Sequence, residues 1–430
     1  MAGRPDNAGS SVTDQVPPLG TAAAGRVPAD QPAPAVPGRR VGYVVTAGVL
    51  VAVMLGGTLP IPLYVLYEPK MGFGPLGVTV VFAVYVIGTL AALLGFGDLS
   101  DHFGRKKVLA TAVGCAAVST IIFLVATSIG ELLAARVFSG AAAGFVTGTA
   151  AAALAEHHPR YDLRAAAVLA VGANLTGLGL GPLVAGIFAQ YLPAPTRTVF
   201  WAYLGLTAVA LLALLAVPET VDRPDRVFRL RLQVGVPAHM RLVMLGAMLG
   251  IFAAFTLAGL FSSLVPSFLS GILGVSNLAV IGAISFLMFA VAAISQALSA
   301  ARLPAPRSVS LGLPLPLAGL AALEGSLFAR ALWLFLAGTV GSGVAVGLVF
   351  RGGLSEISRL AEPARRAQAM SAFFAAAYLG ISIPVVLIGL ISGLIGTVDA
   401  SAWVAGLLAV LIVAASVIVT RTFGKTPGRE

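Results

Sequence analysis

A compact group of charged side chains lies in the segment GFGDLSDHFGRKKVL, residues 95–109. Two acids, one histidine and three bases fall within ten residues, and both flanks are strongly apolar. Carboxylates and bases at this spacing can hold one another, or the end of a neighbouring helix, by charge. Glycines at both ends of the charged stretch permit a tight chain reversal. We therefore predict a turn in which Asp101 makes such a contact.

The sequence lacks the common motifs of enzyme active sites. The sequence contains no H-E-x-x-H, C-x-x-C, P-loop or G-x-S-x-G pattern. Its single cysteine, Cys115, excludes a disulfide framework. We predict no catalytic residue, no metal, no cofactor and no ATP site. The alternative is a polytopic membrane enzyme such as a lipid-modifying transferase, which would need a catalytic constellation that the sequence lacks.

The composition predicts an integral membrane protein. Charged residues make up 10% of the 430 residues and hydrophobic residues 58%, whereas about a quarter of a typical soluble domain is charged. A soluble fold cannot cover its surface with so few charges. The net charge of +10 would also suit a nucleic-acid surface. We assign it instead to the preference of basic residues for the cytoplasmic face of a membrane, and predict no nucleic-acid partner.

Uncharged windows predict the number of membrane spans, because a transmembrane helix needs about 20 mainly apolar residues. The window 242–301 is long enough for two spans and breaks near SGILGVSN, residues 270–277. β-Barrel alternation is absent, so the spans are predicted to be helices. The fold class is therefore an all-α membrane protein with twelve transmembrane helices. The windows are 41–67, 71–97, 108–130, 137–155, 165–196, 198–218, 242–301, 308–329 (interrupted by Glu324), 331–350, 367–398 and 400–420.

The positions of lysine and arginine predict the orientation of these helices. With the N-terminus inside, all of the 27 Lys and Arg residues except Lys70, Arg136, Arg197 and Arg330 fall in cytoplasmic segments. We therefore predict a multi-pass protein of the plasma (inner) membrane with both termini cytoplasmic. The predicted organisation is a disordered tail (1–40), a first six-helix bundle (41–218), a cytoplasmic linker (219–241), a second six-helix bundle (242–420) and a short tail (421–430).

The charged turn falls between the second and third predicted spans and has a defined pattern. Its residues Gly97, Leu99, Asp101, Gly104, Arg105, Lys106 and Leu109 match G-x-L-x-D-x-x-G-R-K-x-x-L, which resembles the signature of the major facilitator superfamily of secondary transporters. Span four carries RVFSGAAAG, similar to the family's R-x-x-x-G element, with Arg136. The second half keeps a faint copy of the turn, SQALSAARLPAPRSVSLG, in which Ala300 replaces the acid.

The resemblance implies two pseudo-symmetric bundles that rock about a central substrate site, and a monomer. Span five carries GLGLGPLVAG, which resembles the G-x-x-x-G-P-x-x-G element of efflux antiporters, with Gly177, Gly181, Pro182 and Gly186. In those proteins the element seals helices at the bundle interface. The implied function is export of a small organic compound by proton antiport. The alternative is a sugar or metabolite symporter or facilitator, for which spans one, seven and ten contain few suitable polar residues.

The resemblance also implies that spans one, four, seven and ten line the substrate cavity. For each Ser or Thr on these spans, the alternative is a hydroxyl bonded to its own helix backbone. An arginine inside a membrane helix is costly and usually faces a cavity or a partner; for Arg136 the alternatives are snorkelling to the surface or pairing with Glu131. The cavity candidates are Thr58, Tyr64, Arg136, Thr256, Ser262, Thr339 and Ser342.

Proton coupling requires a group that changes charge in a partly desolvated site. Glu324 is the one acid inside a predicted span. We name Asp98, Glu131 and Glu324 as candidates for ion coupling, with the lipid bilayer, a small-molecule substrate and protons as the expected partners. For the charged turn, we predict that Asp101 holds the inner face closed in the outward-open state by contacting the start of span eleven, near residues 368–371.

Overall fold

The computed structural model describes residues 39–95, 99–160, 162–220, 241–361 and 366–423, and all regular structure in these ranges is helical. One 3-10 turn, Ile61–Leu63, separates the first two helices. In chain order the α-helices are α1 (Arg39–Thr58), α2 (Tyr64–Met71), α3 (Pro75–Gly95), α4 (Leu99–Phe103), α5 (Arg105–Val125), α6 (Ile129–His157), α7 (Leu163–Tyr191), α8 (Pro195–Leu215), α9 (Arg241–Ser263), α10 (Val265–Gly271), α11 (Leu278–Arg302), α12 (Ala305–Gly312), α13 (Leu315–Ala329), α14 (Leu332–Leu360), α15 (Arg366–Ile395) and α16 (Thr397–Phe423).

Twelve stretches of these described helices are long and apolar enough to cross a bilayer. α1 with α2, and α12 with α13, each form one such stretch, whereas α4 and α10 are short helices outside them. The predicted fold class, an all-α membrane protein with twelve spans, is confirmed. The break predicted near residues 270–277 is present, because α10 ends at Gly271 and α11 begins at Leu278.

Parts of the predicted organisation fall outside the described residues. These parts are residues 1–38 of the first tail, 221–240 of the linker and 424–430 of the last tail. α1 begins at Arg39 and α16 continues to Phe423, so both helices extend past the predicted limits of the bundles. The division of the chain into bundles of residues 41–218 and 242–420 stays a prediction.

Successive spans run in opposite directions, so the assembly of helices has two ends. We call one the Arg105 end; it carries the turn before α5, the start of α1 and the last turn of α6, where Arg39 Nη2 donates a hydrogen bond of 2.6 Å to the backbone oxygen of Glu156. We call the other the Lys70 end. It carries α2 and the end of α7, where Gln190 Oε1 accepts a hydrogen bond of 2.9 Å from the backbone N–H of Leu278.

Proline divides the first span into two helices. The sequence GGTLPIPL places Pro60 and Pro62 directly after α1, and a proline has no backbone N–H to continue the helical hydrogen-bond ladder. α1 therefore ends at Thr58, and the 3-10 turn leads into α2. Backbone carbonyls near this break, such as that of Gly57, need hydrogen-bond donors from elsewhere in the fold.

Helices from the first six spans meet those from the last six mainly along two contacts, α7 with α11 and α3 with α15. Small residues permit these close approaches. A side chain on Gly282 would overlap the backbone oxygen of Pro182, and one on Gly389 would overlap the side chain of Thr79. Thr79 lies in the first turns of α3 and Gly282 in the first turns of α11, so both contacts lie toward the Lys70 end.

Candidate functional site

A cavity of about 310 Å³ lies at the centre of the helix assembly. It is bounded by α1, α3, α6, α7, α9, α11, α14 and α15, so both sets of six spans contribute to its wall. No acid or base is among its lining residues in the described part of the chain. The polar or partly polar residues that line it are Thr58, Tyr85, Thr147, Asn174, Ser262 and Tyr378.

Aromatic side chains form much of the cavity wall. Phe350 of α14 packs with its ring centroid 5.4 Å from that of Phe255 and 6.1 Å from that of Phe374. Phe82 and Phe289 line the same space from α3 and α11. This wall offers a ligand large apolar surfaces and few hydrogen-bonding groups.

The cavity extends from the middle of the helices to the Arg105 end. Leu93, Ala151, Ala167 and Met370 line it, and each lies within about two helical turns of that end of its helix. A side chain added at Gly148, which also lines the cavity, would meet no atom within 4 Å. The space is therefore wide on this side.

Toward the Lys70 end the cavity is closed by the predicted glycine–proline element of α7. Side chains on Gly177 and Gly181 would overlap α1, at Met54 and Thr58. One on Gly186 would overlap the backbone of Leu278 in α11, next to the contact of Pro182 with Gly282. These residues therefore join α7 to α1 on one side and to α11 on the other, and the cavity formed by the described residues opens toward the Arg105 end.

The predicted cavity residues divide into two that line the cavity and five that lie elsewhere. Thr58 and Ser262 line it, and Thr58 Oγ1 also donates a 2.9 Å hydrogen bond to the backbone oxygen of Leu178. Thr256 and Thr339 bond to backbone oxygens, those of Phe252 and Gly380 for Thr256 (2.9 and 3.1 Å) and that of Phe335 for Thr339 (2.8 Å). Ser342 is buried against Gly319 of α13. Tyr64 and Arg136 are the remaining two.

Arg136 is fully buried and contacts α1 at its proline break. Its Nε donates a hydrogen bond of 2.6 Å to Tyr64 Oη, and its Nη1 donates one of 2.5 Å to the backbone oxygen of Gly57. The guanidinium carbon lies 5.4 Å from the ring centres of Tyr64 and Tyr85 and 5.9 Å from that of Phe123. Both alternatives considered for Arg136 are wrong: it does not reach a surface, and Glu131 is engaged elsewhere. Aromatic faces and backbone dipoles stabilise this buried cation.

The charged turn joins three helix ends through Arg105. Arg105 forms an ion pair with Asp101 and another, of 2.9 Å, with Glu156 at the end of α6. Glu219, after α8, accepts hydrogen bonds of 2.8 and 3.2 Å from the backbone N–H groups of Arg105 and Lys106. Lys106 Nζ donates to the backbone oxygen of Leu215, 2.9 Å away. Glu156 and Glu219 thus link α5 to α6 and α8, and neither contact was predicted from the sequence.

The remaining predicted residues of the charged turn are two glycines and two acids. Gly104 has a φ of 97°, a conformation that favours glycine, and a side chain there would also overlap the Glu219 carboxylate. Gly97 and Asp98 lie outside the described residues. Asp101 is about half exposed and pairs within its own turn. Because the structure is open at the Arg105 end, the contact predicted for Asp101 in the opposite state stays a prediction.

Loss of Glu156 is expected to destabilise the protein more than loss of Asp101, although each variant removes one ion pair from Arg105. The Glu156 side chain is 33% exposed against 56% for Asp101, so solvent screens it less. We expect Glu156→Gln to lower the free energy of unfolding by about 1–2 kcal/mol and Asp101→Asn by less than about 1 kcal/mol. Unfolding of both variants in one detergent, followed by intrinsic fluorescence, measures this difference. Equal losses would contradict a bridging role for Glu156.

The two described candidates for ion coupling lie outside the cavity lining. Glu131 caps α6, where its carboxylate accepts hydrogen bonds from the backbone N–H groups of Thr127 and Ser128, at 2.5 and 2.9 Å. Glu324 of α13 accepts a hydrogen bond of 2.9 Å from Ser401 Oγ of α16. Both acids lie toward the Lys70 end of their helices, away from the aromatic wall of the central cavity.

The contributions of α7 and α15 to the cavity were not predicted from the sequence. Ala170, Asn174, Leu178, Phe374 and Tyr378 line it from these two helices, whereas the resemblance pointed to spans one, four, seven and ten. The available signal was the interior proline of both helices, Pro182 and Pro384, which marked the two spans as a matching pair.

Comparisons with known proteins agree with this architecture. The family model described as Major Facilitator Superfamily matches residues 46–329. Over 154 residues, 35% of the chain, the sequence is 33% identical to a triacylglyceride transporter of Mycolicibacterium hassiacum, of which the match covers 28%. Over 155 residues, 36% of the chain, it is 26% identical to an uncharacterized MFS-type transporter of Methanocaldococcus jannaschii, of which the match covers 40%.

A fungal relative is similar over a stretch of comparable length. Over 162 residues, 37% of the chain, the sequence is 30% identical to a major facilitator superfamily multidrug transporter of Aspergillus fumigatus, and the match covers 30% of that protein. In all three comparisons the matched stretch spans less than half the length of the curated relative.

Proposed function

This chain belongs to the Major Facilitator Superfamily, and from that premise we propose that it is a secondary transporter of small lipophilic molecules. The substrate enters the central cavity from the Arg105 end and leaves at the Lys70 end when the two sets of helices rock about it. The observation that carries the proposal is the lining of the cavity, which is aromatic and aliphatic and includes no acid or base within the described residues.

The size and the chemistry of the cavity support this substrate class. A volume of about 310 Å³ is at the lower end of the range of about 300–1,000 Å³ that is usual for small-ligand pockets, which favours a compact organic compound. Burial of apolar ligand surface against such a wall contributes about 25 cal/mol per Å². Two relatives named for triacylglycerides and for multiple drugs support a lipophilic cargo rather than a sugar.

Direction and driving force complete the proposal. We propose that the Arg105 end faces the cytoplasm, as the distribution of lysine and arginine predicts, and that the protein exports its substrate in exchange for protons. The resemblance of the α7 element to that of efflux antiporters supports export. Among the described residues the cavity lining has no carboxylate, so the proton-carrying group lies elsewhere, with Glu131 and Glu324 as the described candidates.

Liposomes that contain the purified chain and an imposed pH gradient, acidic inside, test this function. The panel consists of uncharged lipophilic fluorophores, lipophilic cations, a fluorescent triacylglyceride analogue, sugars and amino acids. We expect a lipophilic compound to move and to release protons from the lumen in doing so. Movement of the compound without protons would establish a facilitator and remove the antiport part of the proposal. Movement of sugars or amino acids alone would contradict the substrate class.

Phe350→Ala is expected to weaken binding of the transported lipophilic compound about tenfold, because the ring supplies a large apolar surface at the centre of the cavity wall. Phe328→Ala is the matched control, since Phe328 is 61% exposed on α13 and does not line the cavity. The concentration dependence of the initial flux measures the effect. If both variants change the half-saturating concentration equally, the cavity assigned here is not the binding site.

A further inference from the structure

A second cavity, of about 250 Å³, lies at the Lys70 end, apart from the central one. Its wall comes from α2, the end of α5, the connection into α6 and the first turn of α8. Tyr67, Lys70, Thr127, Thr196 and Arg197 give it a polar lining, in contrast to the central cavity. The two cavities share no lining residue, so the second one is not part of the binding site proposed for the transported substrate.

Two basic side chains line this cavity at the end of the molecule where bases are scarce. Lys70 and Arg197 are two of the three bases predicted for the connections at this end, and Arg330 is the third. Within the described part of the chain, neither the Lys70 nor the Arg197 side chain forms an ion pair or a hydrogen bond. The cavity therefore presents two positive charges that the protein itself does not neutralise.

A buried hydroxyl group adds a hydrogen-bond donor to these charges. Tyr67 is 3% exposed, and its Oη has no hydrogen-bond partner among the described residues. A buried polar atom without a partner is costly, and native structures supply one in most cases. Tyr67 is among the residues that line the cavity, so a shift of its side chain that brings Oη to the cavity surface would let a bound group accept the missing hydrogen bond.

Two acids neighbour the site, and neither lines it or pairs with its bases in the described part of the chain, so the site keeps the charge of Lys70 and Arg197. Glu68 lies between Tyr67 and Lys70 on α2, outside the cavity lining and the ion pairs. Glu131 is beside the cavity, but it caps α6 through Thr127 and Ser128 and does not line the cavity. Phe123 forms part of the cavity wall, and its ring also lies 5.9 Å from the guanidinium carbon of Arg136. One aromatic ring thus separates the cavity from a buried cation, which adds to the positive potential there.

We propose that this cavity binds an oxyanion, a phosphate or carboxylate group. Lys70 and Arg197 provide the charge, and Tyr67 Oη donates a hydrogen bond to one of its oxygens. Such a group comes either from the headgroup of an anionic lipid at the membrane surface or from a free anion in solution. Tyr67 lies one turn after Tyr64 in α2, and Arg136 donates a hydrogen bond to Tyr64 Oη, so the bound anion stabilises the same helix that Arg136 contacts.

The test uses the purified full chain in a neutral detergent and follows the unfolding temperature against ligand concentration, from which apparent dissociation constants follow. The probes are inorganic phosphate at constant ionic strength, phosphatidylglycerol and phosphatidylcholine. We expect stabilisation by an anionic probe and none by phosphatidylcholine. An effect of inorganic phosphate identifies a free-anion site, and an effect of phosphatidylglycerol alone identifies a lipid headgroup site.

Single-residue variants test whether the stabilisation by anions comes from binding in this cavity. We expect Lys70→Gln, Arg197→Gln and Tyr67→Phe each to weaken anion binding about tenfold, as the loss of one charge-assisted hydrogen bond predicts. Arg330→Gln removes the third base at this end, outside the cavity, and should change binding by less than about twofold. Tyr67→Phe keeps the ring and therefore the packing. Stabilisation that is absent, that phosphatidylcholine reproduces, or that Arg330→Gln reduces as strongly would overturn the proposal.

Discussion

Arg136→Met is expected to lower the transport rate at least about tenfold and to lower the unfolding temperature by several degrees. The variant leaves the Gly57 carbonyl and Tyr64 Oη without the donors that now satisfy them, and each buried group left unpaired costs about 1–3 kcal/mol. It also removes the attraction between the cation and three aromatic rings. The removal of a buried charge offsets part of this loss, so the effect on transport exceeds that on stability.

The transport defect follows from the place of Arg136 in the fold. Pro60 and Pro62 interrupt the backbone ladder of the first span, and Arg136 joins the interrupted end of α1 to α6. Leu50, Met54 and Thr58 of α1 line the cavity, so a change in the position of α1 changes the cavity wall. Arg136→Lys keeps the charge but not the planar pair of donors, and we expect an intermediate rate.

Tyr203→Phe is the matched control for Arg136→Met. Tyr203 is also buried and also donates a side-chain hydrogen bond to the backbone of α1, to the oxygen of Ala52 at 3.1 Å. Ala52 lies inside α1, where the helix supplies its own partner, so this variant leaves no carbonyl unpaired and should reduce transport less than about threefold. Flux of the compound identified in liposomes measures all three variants. Normal transport by Arg136→Met would show that Arg136 does not position α1.

The fold could be predicted because membrane spans leave a strong signal in sequence. Apolar length gave twelve helices, and the break at residues 270–277 was visible as a glycine-containing interruption of a long window. The glycine–proline element of α7 was also visible, because close helix approach requires small residues. Gly186 and Pro182 indeed lie where α7 meets α11.

The face of each helix that lines the cavity could not be predicted. In a soluble protein the polar residues of a surface helix recur with the helical period and mark the face that meets water. In this protein the lipid and the cavity are both apolar, so no such pattern distinguishes the lipid-facing side of a helix from its cavity-facing side. Thr256 and Thr339 were chosen for their polarity and bond to backbone oxygens instead. The partner of Arg136 could not be predicted either: Tyr64 lies 72 residues away along the chain, and only the packing of the break between α1 and α2 against α6 brings the two together.

The sequence predicted the acid within the charged turn but not the acids from distant parts of the chain that contact Arg105. Asp101 lies in the pattern itself, whereas Glu156 and Glu219 lie 51 and 114 residues from Arg105. Sequence spacing carries no information about such pairs unless the packing of helix ends is known. The network around Arg105 is therefore a product of the tertiary fold rather than of the local motif.

Gly282→Val is expected to shift the protein away from the conformation that is open at the Arg105 end. A side chain at Gly282 would overlap the backbone oxygen of Pro182, and neither backbone can move without separating α11 from α7. Separation at the Lys70 end favours the opposite conformation, in which the halves close at the Arg105 end. A shift of about 1.4 kcal/mol changes the ratio of the two conformations tenfold, and we expect at least this shift, with loss of transport.

A thiol in the cavity reports the shift directly. In a Cys115→Ala background, Gly148→Cys places the reporter where a side chain has free space on the open side of the cavity. We expect Gly282→Val to slow its reaction with a membrane-impermeant maleimide at least about tenfold, since closure removes access from the Arg105 end. Gly205→Val is the control, because it makes the same change in helix propensity but a side chain there would meet no atom within 4 Å. An unchanged labelling rate in Gly282→Val, with transport lost, would mean that the contact between α7 and α11 supports the fold without governing access to the cavity.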